Sequence, residues 1–262
     1  MIRTLVLVAV TGFVLSIGCI AAAISIAGGP FAIRDWAMVH SDSDWTWNGH
    51  HYGHGHRLRG TLRLDGDEDG GTDAARHATR DFTWSGGDRL DVEAPADIVY
   101  AQGPVAKLTI AGPAGMVEHV QVRDGRILVE PEYRSDGRLK ILLTAPGVRR
   151  FDLSGSQNLV VEDYRQDRLD LDISGAAHVS AKGEAKAVRL DIAGSGDADL
   201  AELAVDDAQI DISGSGRAKI GPKASARIDV SGDGEVELTT KPVKLATEIS
   251  GSGRVSQPGA PD

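Results

Sequence analysis

Three groups of residues in this chain could support chemistry, and the first is a histidine-rich tract. Its members are His50, His51, His54 and His56. Neutral imidazoles bind Zn, Cu or Ni, and a His-rich tract can do so without a fold. Structural metal sites, however, fix their ligands with a supporting shell of hydrogen bonds, which a glycine-spaced tract does not supply. We interpret the tract as part of a solvated linker, with metal binding as the alternative.

The second group is an acidic segment that matches half of a calcium-binding loop. Asp65, Asp67, Asp69 and Gly70 follow the pattern D-x-D-x-D-G. The twelfth position should be a bidentate glutamate, but it is Arg76. No helical periodicity flanks the segment, so we interpret it as an acidic turn without a calcium role.

The third group consists of acidic residues that recur at a regular spacing, almost always between two apolar residues and before a Ser-Gly or Ala-Gly pair. They are Asp152, Asp172, Asp191, Asp211, Asp229 and Glu248. Polysaccharide cleavage would need two carboxylates in unequal environments, and these recur evenly. The serines are equally repetitive, so none is predicted to be a single nucleophile. We predict no catalytic residue, no cofactor and no metal site.

The spacing of these motifs identifies the elements that must position them. The glycine after each motif, taken as a marker, recurs at intervals of 20, 19, 20, 18 and 19 residues. The marker glycines are Gly155, Gly175, Gly194, Gly214, Gly232 and Gly251. A fixed period of this size is typical of a solenoid. Apolar residues alternate on both sides of each marker, as in Leu171 and Ile173 before Gly175, which predicts two short strands around a glycine corner in each coil.

The outward positions of the second strand predict a stacked ladder of charges. Three and five residues after successive markers, the sign of charge changes from coil to coil: Asp197 and Asp199, Arg217 and Lys219, Glu235 and Glu237, Arg254 and Ser256. Equivalent residues of stacked coils lie about 4.8 Å apart, where like charges repel. The acidic residues of the first strand would form a column of like charge, which Arg150, Arg189 and Arg227 partly offset. We prefer a solvated, arginine-compensated face, and a stripe that binds cations or amines is the alternative.

The region before the clear repeats is also predicted to be rich in strands, as less regular coils of the same stack. The candidate strands are Asp97–Ala101, Lys107–Ala111, Val117–Val122, Arg126–Glu130 and Leu139–Thr144. We place the solenoid at residues 81–257 and a polar tail at residues 258–262, whose prolines cannot extend a ladder.

The N-terminal residues predict a membrane anchor. Residues 4–28 contain no charge and are long enough to cross a bilayer as a helix. With Arg3 on the cytoplasmic side, the rest of the chain faces the periplasm or the exterior, whereas a cleaved signal peptide would make the protein secreted. We assign residues 1–29 to this anchor or signal segment and residues 30–80 to a largely disordered linker. Cys19, the only cysteine, is preceded at the third position by Ser16 and does not match a lipidation motif.

The ordered motifs of the body resemble a bacterial domain of unknown function called the putative auto-transporter adhesin head GIN domain. The resemblance covers about residues 81–256 and includes Leu90-Asp91-Val92, Gln102-Gly103-Pro104, Asp124-Gly125-Arg126-Ile127 and the Ser-Gly-Ser-Gly coils. It implies an all-β fold, a right-handed parallel β-helix with coils of 18–20 residues, which is exported to the envelope. It implies no catalytic residue.

We therefore predict a membrane-tethered, non-catalytic structural, adhesive or protein-interaction module. The alternatives are an envelope metal or stress sensor that uses the histidine tract and, least favoured, a carbohydrate-active enzyme. The net charge of −10 argues against a nucleic-acid partner. A glycan is less favoured than an envelope protein or self-association because aromatic side chains are scarce after residue 90: Tyr100, Tyr133, Phe151 and Tyr164.

Overall fold

The computed structural model of the chain describes residues 45–47, 50–52, 77–133 and 137–259, which belong to two compact units, Met1–Glu68 and Asp69–Asp262. In the first unit, β1 (Trp45–Trp47) pairs antiparallel with β2 (His50–Tyr52). The predicted membrane segment, His54, His56 and the Asp65–Arg76 loop lie outside the described residues. Among the residues that are described, no helix is both long enough and apolar enough to span a bilayer.

The second unit is built almost entirely of strands. In chain order its elements are β3 (His77–Phe82), β4 (Arg89–Val92), β5 (Ala96–Gln102), β6 (Lys107–Pro113), α1 (Ala114–Glu118), β7 (Val120–Arg123), β8 (Arg126–Val129), β9 (Leu139–Ala145), β10 (Arg150–Gly155), β11 (Gln157–Gly175), β12 (His178–Gly194), β13 (Asp197–Gly214), β14 (Arg217–Gly232), β15 (Glu235–Leu238), β16 (Lys244–Gly251) and β17 (Arg254–Ser256). The first of these begins at His77, ahead of the boundary that we predicted at residue 81.

The repeats stack as parallel coils in the predicted register. Each marker glycine lies opposite the next, from Gly155 through to Gly251, so the corners form a single file. The prediction of an all-β solenoid with coils of 18–20 residues is confirmed, while its right-handed sense stays a prediction. The residues just before each marker, such as Leu171 and Ile173 before Gly175, form one side of the stack, which we call the first flank. The residues just after each marker, such as Val179 after Gly175, form the second flank.

The core lies between these flanks, where the alternating apolar residues point inward. On the first flank Leu171, Ile173 and Leu190 are buried, and on the second flank Val179 and Leu200 are buried. Each fully buried side chain of this size contributes about 1.5–3 kcal/mol to the hydrophobic stabilisation of the coil.

Each coil also has a short third segment that the sequence did not reveal. Tyr164 lies opposite Gly183, and Gly183 lies opposite Leu203, after an irregularity in each strand. Because Leu203 and Tyr164 are buried, this segment closes a third side of the core. The Tyr164 hydroxyl donates to the carbonyl of Arg168 at 2.6 Å, which fixes the turn into the next coil.

The prediction of less regular coils at the N-terminal end is confirmed in part. β4 and β5 form a coil on top of β10 and β11, and β8 and β9 pair parallel with β4 and β5 as a further coil. Two strands depart from this parallel stack: β6 pairs antiparallel with β9 and β3, and β7 pairs antiparallel with β8. A tight turn at Asp124-Gly125, both with positive φ, joins β7 to β8. The predicted strand Val117–Val122 is wrong at its start, since Ala114–Glu118 is helical and strand geometry begins at Val120.

Gln157 joins this first coil to the regular ones. Its side-chain amide donates to the carbonyls of Val92 at 3.3 Å, Ala94 at 3.0 Å and Ser154 at 2.6 Å. The coil that contains Val92 lacks the Ser-Gly corner, so a side chain supplies hydrogen bonds that a backbone ladder supplies elsewhere.

The file of glycines predicts a position-dependent cost of adding a methyl group. Gly155 and Gly214 both have φ near +115°, at +112° and +120°. A Cβ on Gly214 would lie 2.5 Å from the carbonyl oxygen of Gly194, whereas a Cβ on Gly155 would meet only the amide nitrogen of Gln157 at 3.6 Å. We expect Gly155→Ala to lower the free energy of unfolding by about 1–3 kcal/mol for backbone strain. Gly214→Ala should cost about 1–3 kcal/mol more, because the coils must move apart.

Urea denaturation of the two variants beside the parent protein measures this difference. Equal losses for Gly155→Ala and Gly214→Ala would show that the glycine backbones do not make close contact between coils.

Candidate functional site

The acidic residues of the first flank form the predicted column. Each member lies opposite the equivalent residue of the next coil, in the order Asp152, Asp172, Asp191, Asp211, Asp229 and Glu248. Asp91 lies opposite Asp152 and extends the column by one coil. We use the name acidic column for these residues and Asp91 together. The sequence signal for Asp91 was the triplet Leu90-Asp91-Val92, which keeps the apolar-Asp-apolar order without the serine and glycine.

Arginines neutralise the N-terminal half of the column. Arg89 bridges two neighbouring carboxylates, with Nε 2.7 Å from Asp152 and Nη2 3.3 Å from Asp91. Arg126 Nε lies 3.0 Å from the same oxygen of Asp91, which is buried. The Arg89 guanidinium therefore links the carboxylate of one coil to that of the next.

The predicted arginines contribute unequally. Arg189 pairs with Asp191 at 2.8 Å, as expected. Arg150 instead lies 3.9 Å from Asp170, which stands beside the column and which Arg168 also contacts at 2.6 Å. In the described ranges, Arg227 forms no ion pair. The arginines therefore neutralise carboxylates mainly toward the N-terminal end of the acidic column.

The C-terminal half of the column borders an open, shallow groove of about 320 Å³. Its acidic lining residues are Asp172, Asp191, Asp211 and Asp229, accompanied by the hydroxyls of Ser213 and Ser231. The carboxylates are spread along the groove, one for each coil, about 4.8 Å apart. Among the described residues, no cluster of acidic, histidine or cysteine side chains is arranged to hold a metal ion. The groove is therefore suited to several cationic side chains in a row.

The predicted alternation of charge on the second flank is confirmed. Arg217 lies opposite Asp197 on one side and Glu235 on the other, and Glu235 lies opposite Arg254. Lys219 contacts Glu237 at 3.0 Å, and the Arg217 guanidinium lies 3.8 Å from Asp197 and 3.7 Å from Glu235. Ion pairs therefore join the central rungs of the second flank, in contrast to the C-terminal half of the first.

The aromatic side chains of the solenoid are mostly unavailable for stacking on sugars. Tyr100, Phe151 and Tyr164 are fully buried, with Tyr100 and Phe151 in edge-to-face contact at 5.3 Å. Tyr133 is partly buried and stacks on His119 at 4.7 Å. The preference for a protein partner over a glycan stays a prediction.

The histidine tract belongs to the first unit and is described only in part. His50 and His51 lie in β2 of the first unit, while His54 and His56 lie outside the described residues. The predicted solvated linker, with metal binding as its alternative, stays a prediction.

The chain is similar to a known family and to solved structures. A family profile described as "Putative auto-transporter adhesin, head GIN domain" matches residues 88–242. A crystal structure of a putative adhesin from Bacteroides fragilis is 19% identical and superimposes with a TM-score of 0.57, covering 71% of this chain and 98% of that one. A putative adhesin from Parabacteroides merdae is 16% identical with a TM-score of 0.47, covering 70% and 96%. No curated protein matches the chain.

The charge ladder predicts a salt-dependent loss of stability when its central rung is reversed. Arg217→Glu with Lys219→Glu places acidic residues opposite Asp197, Asp199, Glu235 and Glu237. We expect a lower Tm at low salt, with a difference that shrinks near 1 M salt as screening shortens to about 3 Å. The control Arg217→Lys with Lys219→Arg keeps both charges and should leave Tm nearly unchanged. An unaltered Tm of the reversed variant at low salt would contradict the register.

The environment of Asp152 predicts that the stability of the fold depends on pH. Burial raises the pKa of Asp152, against the opposing attraction of Arg89, and Asp91 and Asp172 raise the pKa further. The folded state therefore binds this proton more tightly than the unfolded state, so the group lowers stability as pH rises through its titration range. We expect Asp152→Asn to raise Tm at neutral pH, with the gain disappearing at about pH 3, below the usual carboxyl range.

Asp167→Asn provides the matched control with the opposite sign. The hydrogen bond from Lys186, 2.7 Å away, lowers the pKa of Asp167, so its neutralisation should lower Tm at neutral pH. Thermal melts of both variants across this pH range give the comparison, and shifts of the same sign would contradict the assigned environments.

Proposed function

The chain belongs to the family described as "Putative auto-transporter adhesin, head GIN domain", and we propose that it is a non-catalytic adhesive module of the bacterial envelope whose first flank binds a basic segment of an envelope protein. The observation that supports this most is the groove along the C-terminal half of the acidic column. There Asp172, Asp211 and Asp229 form no ion pair within the described residues, whereas Asp91, Asp152 and Asp191 of the same column each pair with an arginine.

The repetition of the column favours binding over catalysis. A catalytic carboxylate needs an environment that its neighbours lack, but Asp172, Asp191, Asp211 and Asp229 occupy equivalent positions in successive coils. A binding surface benefits from the same regularity, since an extended partner with cationic side chains along its length meets one carboxylate for each coil. Electrostatic attraction of this kind accelerates association and selects partners of opposite charge.

The anchor at residues 4–28 completes the proposal. It would hold the solenoid on the periplasmic or extracellular side of the cytoplasmic membrane, with Arg3 inside. Cleavage of the segment would release the same module as a secreted protein. In either case the flank faces the compartment in which envelope proteins are found.

The test compares two charge-matched triple variants of the full-length protein displayed on liposomes. The column variant is Asp172→Asn, Asp211→Asn, Asp229→Asn; the control is Asp199→Asn, Glu235→Gln, Glu237→Gln on the second flank. We expect adhesion to isolated bacterial envelopes to fall about tenfold or more for the column variant, to fall with rising salt, and to change little for the control. Equal adhesion of the column variant and the parent protein would contradict the proposed site.

A panel of polysaccharide substrates tests the non-catalytic assignment. We expect no turnover by the full-length protein. Turnover that is abolished by neutralising one carboxylate of the column, but not its neighbours in adjacent coils, would show that the protein is an enzyme.

A further inference from the structure

The C-terminal end of the solenoid exposes a complete strand. Every residue of β16, from Lys244 to Gly251, is exposed. Its register pairs it with β14 alone, and no strand in the described ranges pairs with its other edge. An exposed edge of this length offers free backbone N–H and C=O groups to another strand.

At this end, apolar side chains at core positions are not covered by a further coil. Leu245 and Ile249 are 39% and 44% exposed, and Val243, just before the strand, is 84% exposed. In the preceding coil the residues opposite Leu245 and Ile249 are Ala226 and Val230, and both are buried. Solenoids normally cover such an end with a capping element. Three of the four large exposed hydrophobic residues in the described ranges are clustered here.

We infer that the occupant is a second copy of this chain, with the two β16 strands paired antiparallel about a two-fold axis at Ala246. In an antiparallel pair of strands, residues that lie opposite each other point to the same face of the sheet. The inward-pointing side chains of the two copies therefore stay on one face when odd-numbered residues lie opposite odd-numbered ones. With Ala246 opposite itself, the residue numbers of each pair sum to 492. Lys244 then lies opposite the partner's Glu248, and Val243 opposite the partner's Ile249, each twice because of the symmetry.

Charge selects this register among its neighbours. An axis at Thr247 would place Lys244 opposite Ser250, and an axis at Leu245 would place it opposite Ala246. Axes at Lys244 or Glu248 would set like charges directly opposite each other, which is unfavourable. Only the axis at Ala246 pairs both charged residues of β16 with opposite charge while it covers Val243, Leu245 and Ile249.

Such a dimer is closed and joins the two cores end to end. A two-fold interface uses the same patch on both copies, so it does not propagate into fibres. It protects the edge that would otherwise invite aggregation. The inference concerns the end of the stack and holds whether or not the first flank binds an envelope protein.

Disulfide trapping tests the register in the full-length protein. In a Cys19→Ser background, Ala246→Cys places two thiols opposite each other at a Cα separation of about 4.5–5.5 Å, which a disulfide can span. We expect most of the protein to migrate as a covalent dimer after mild oxidation in membranes. The control Ser174→Cys, exposed on the same flank, should remain monomeric. Absence of the dimer with Ala246→Cys, or equal trapping of both variants, would overturn the inference.

Charge exchange tests the pairing without a cross-link. By sedimentation equilibrium in detergent, we expect Glu248→Lys to weaken dimerisation about tenfold, since both attractive pairs become repulsive. The double variant Lys244→Glu with Glu248→Lys restores opposite charges and should recover the parent affinity within about threefold. A double variant as weak as the single one, a parent protein that stays monomeric, or filaments instead of dimers would each contradict it.

Discussion

The structure depends on the close approach of glycine backbones at one corner of each coil. A side chain at Gly175, Gly194 or Gly214 would lie within 2.8 Å of the carbonyl oxygen of the glycine one coil before it. This contact fixes the register of the stack at one point for every coil. Because the strand on each side has a period of two residues, fixing one position assigns every neighbouring side chain to the core or to the solvent.

That single register also explains the distribution of charge. It brings Asp197, Arg217 and Glu235 into one row on the second flank, where opposite signs alternate. On the first flank it forces carboxylates into one column, and arginines neutralise only the N-terminal part. The asymmetry between the two halves of the column distinguishes one region of an otherwise repetitive surface, and we place the binding of a partner there.

The regular coils could be predicted from the sequence because their signal is repeated, whereas most of what the sequence did not reveal occurs only once. The exception is the short third segment of the coils, which follows a register shift in each strand. The glycine file, the buried alternation and the charge ladder are confirmed. The antiparallel return of β6 and β7 was missed, since a strand pattern does not indicate the direction of its partner. Gln157 was missed because a buried amide that replaces a backbone ladder looks like a surface residue in sequence. The exposure of Leu245 and Ile249 could not be predicted, because apolar residues alternate before Gly251 in the same way as in the coils where they are buried.

The central claim is that the coils wind in one file, and distances between spin labels test it most directly. In a Cys19→Ser background, two serines of the first flank at a time are replaced by cysteine and spin-labelled. The pairs are Ser154 with Ser213, Ser154 with Ser231, and Ser154 with Ser250. These partners lie in successive coils. We expect mean distances that increase by about 4.8 Å from each pair to the next. Distances that do not increase evenly along the series would contradict the stacked solenoid.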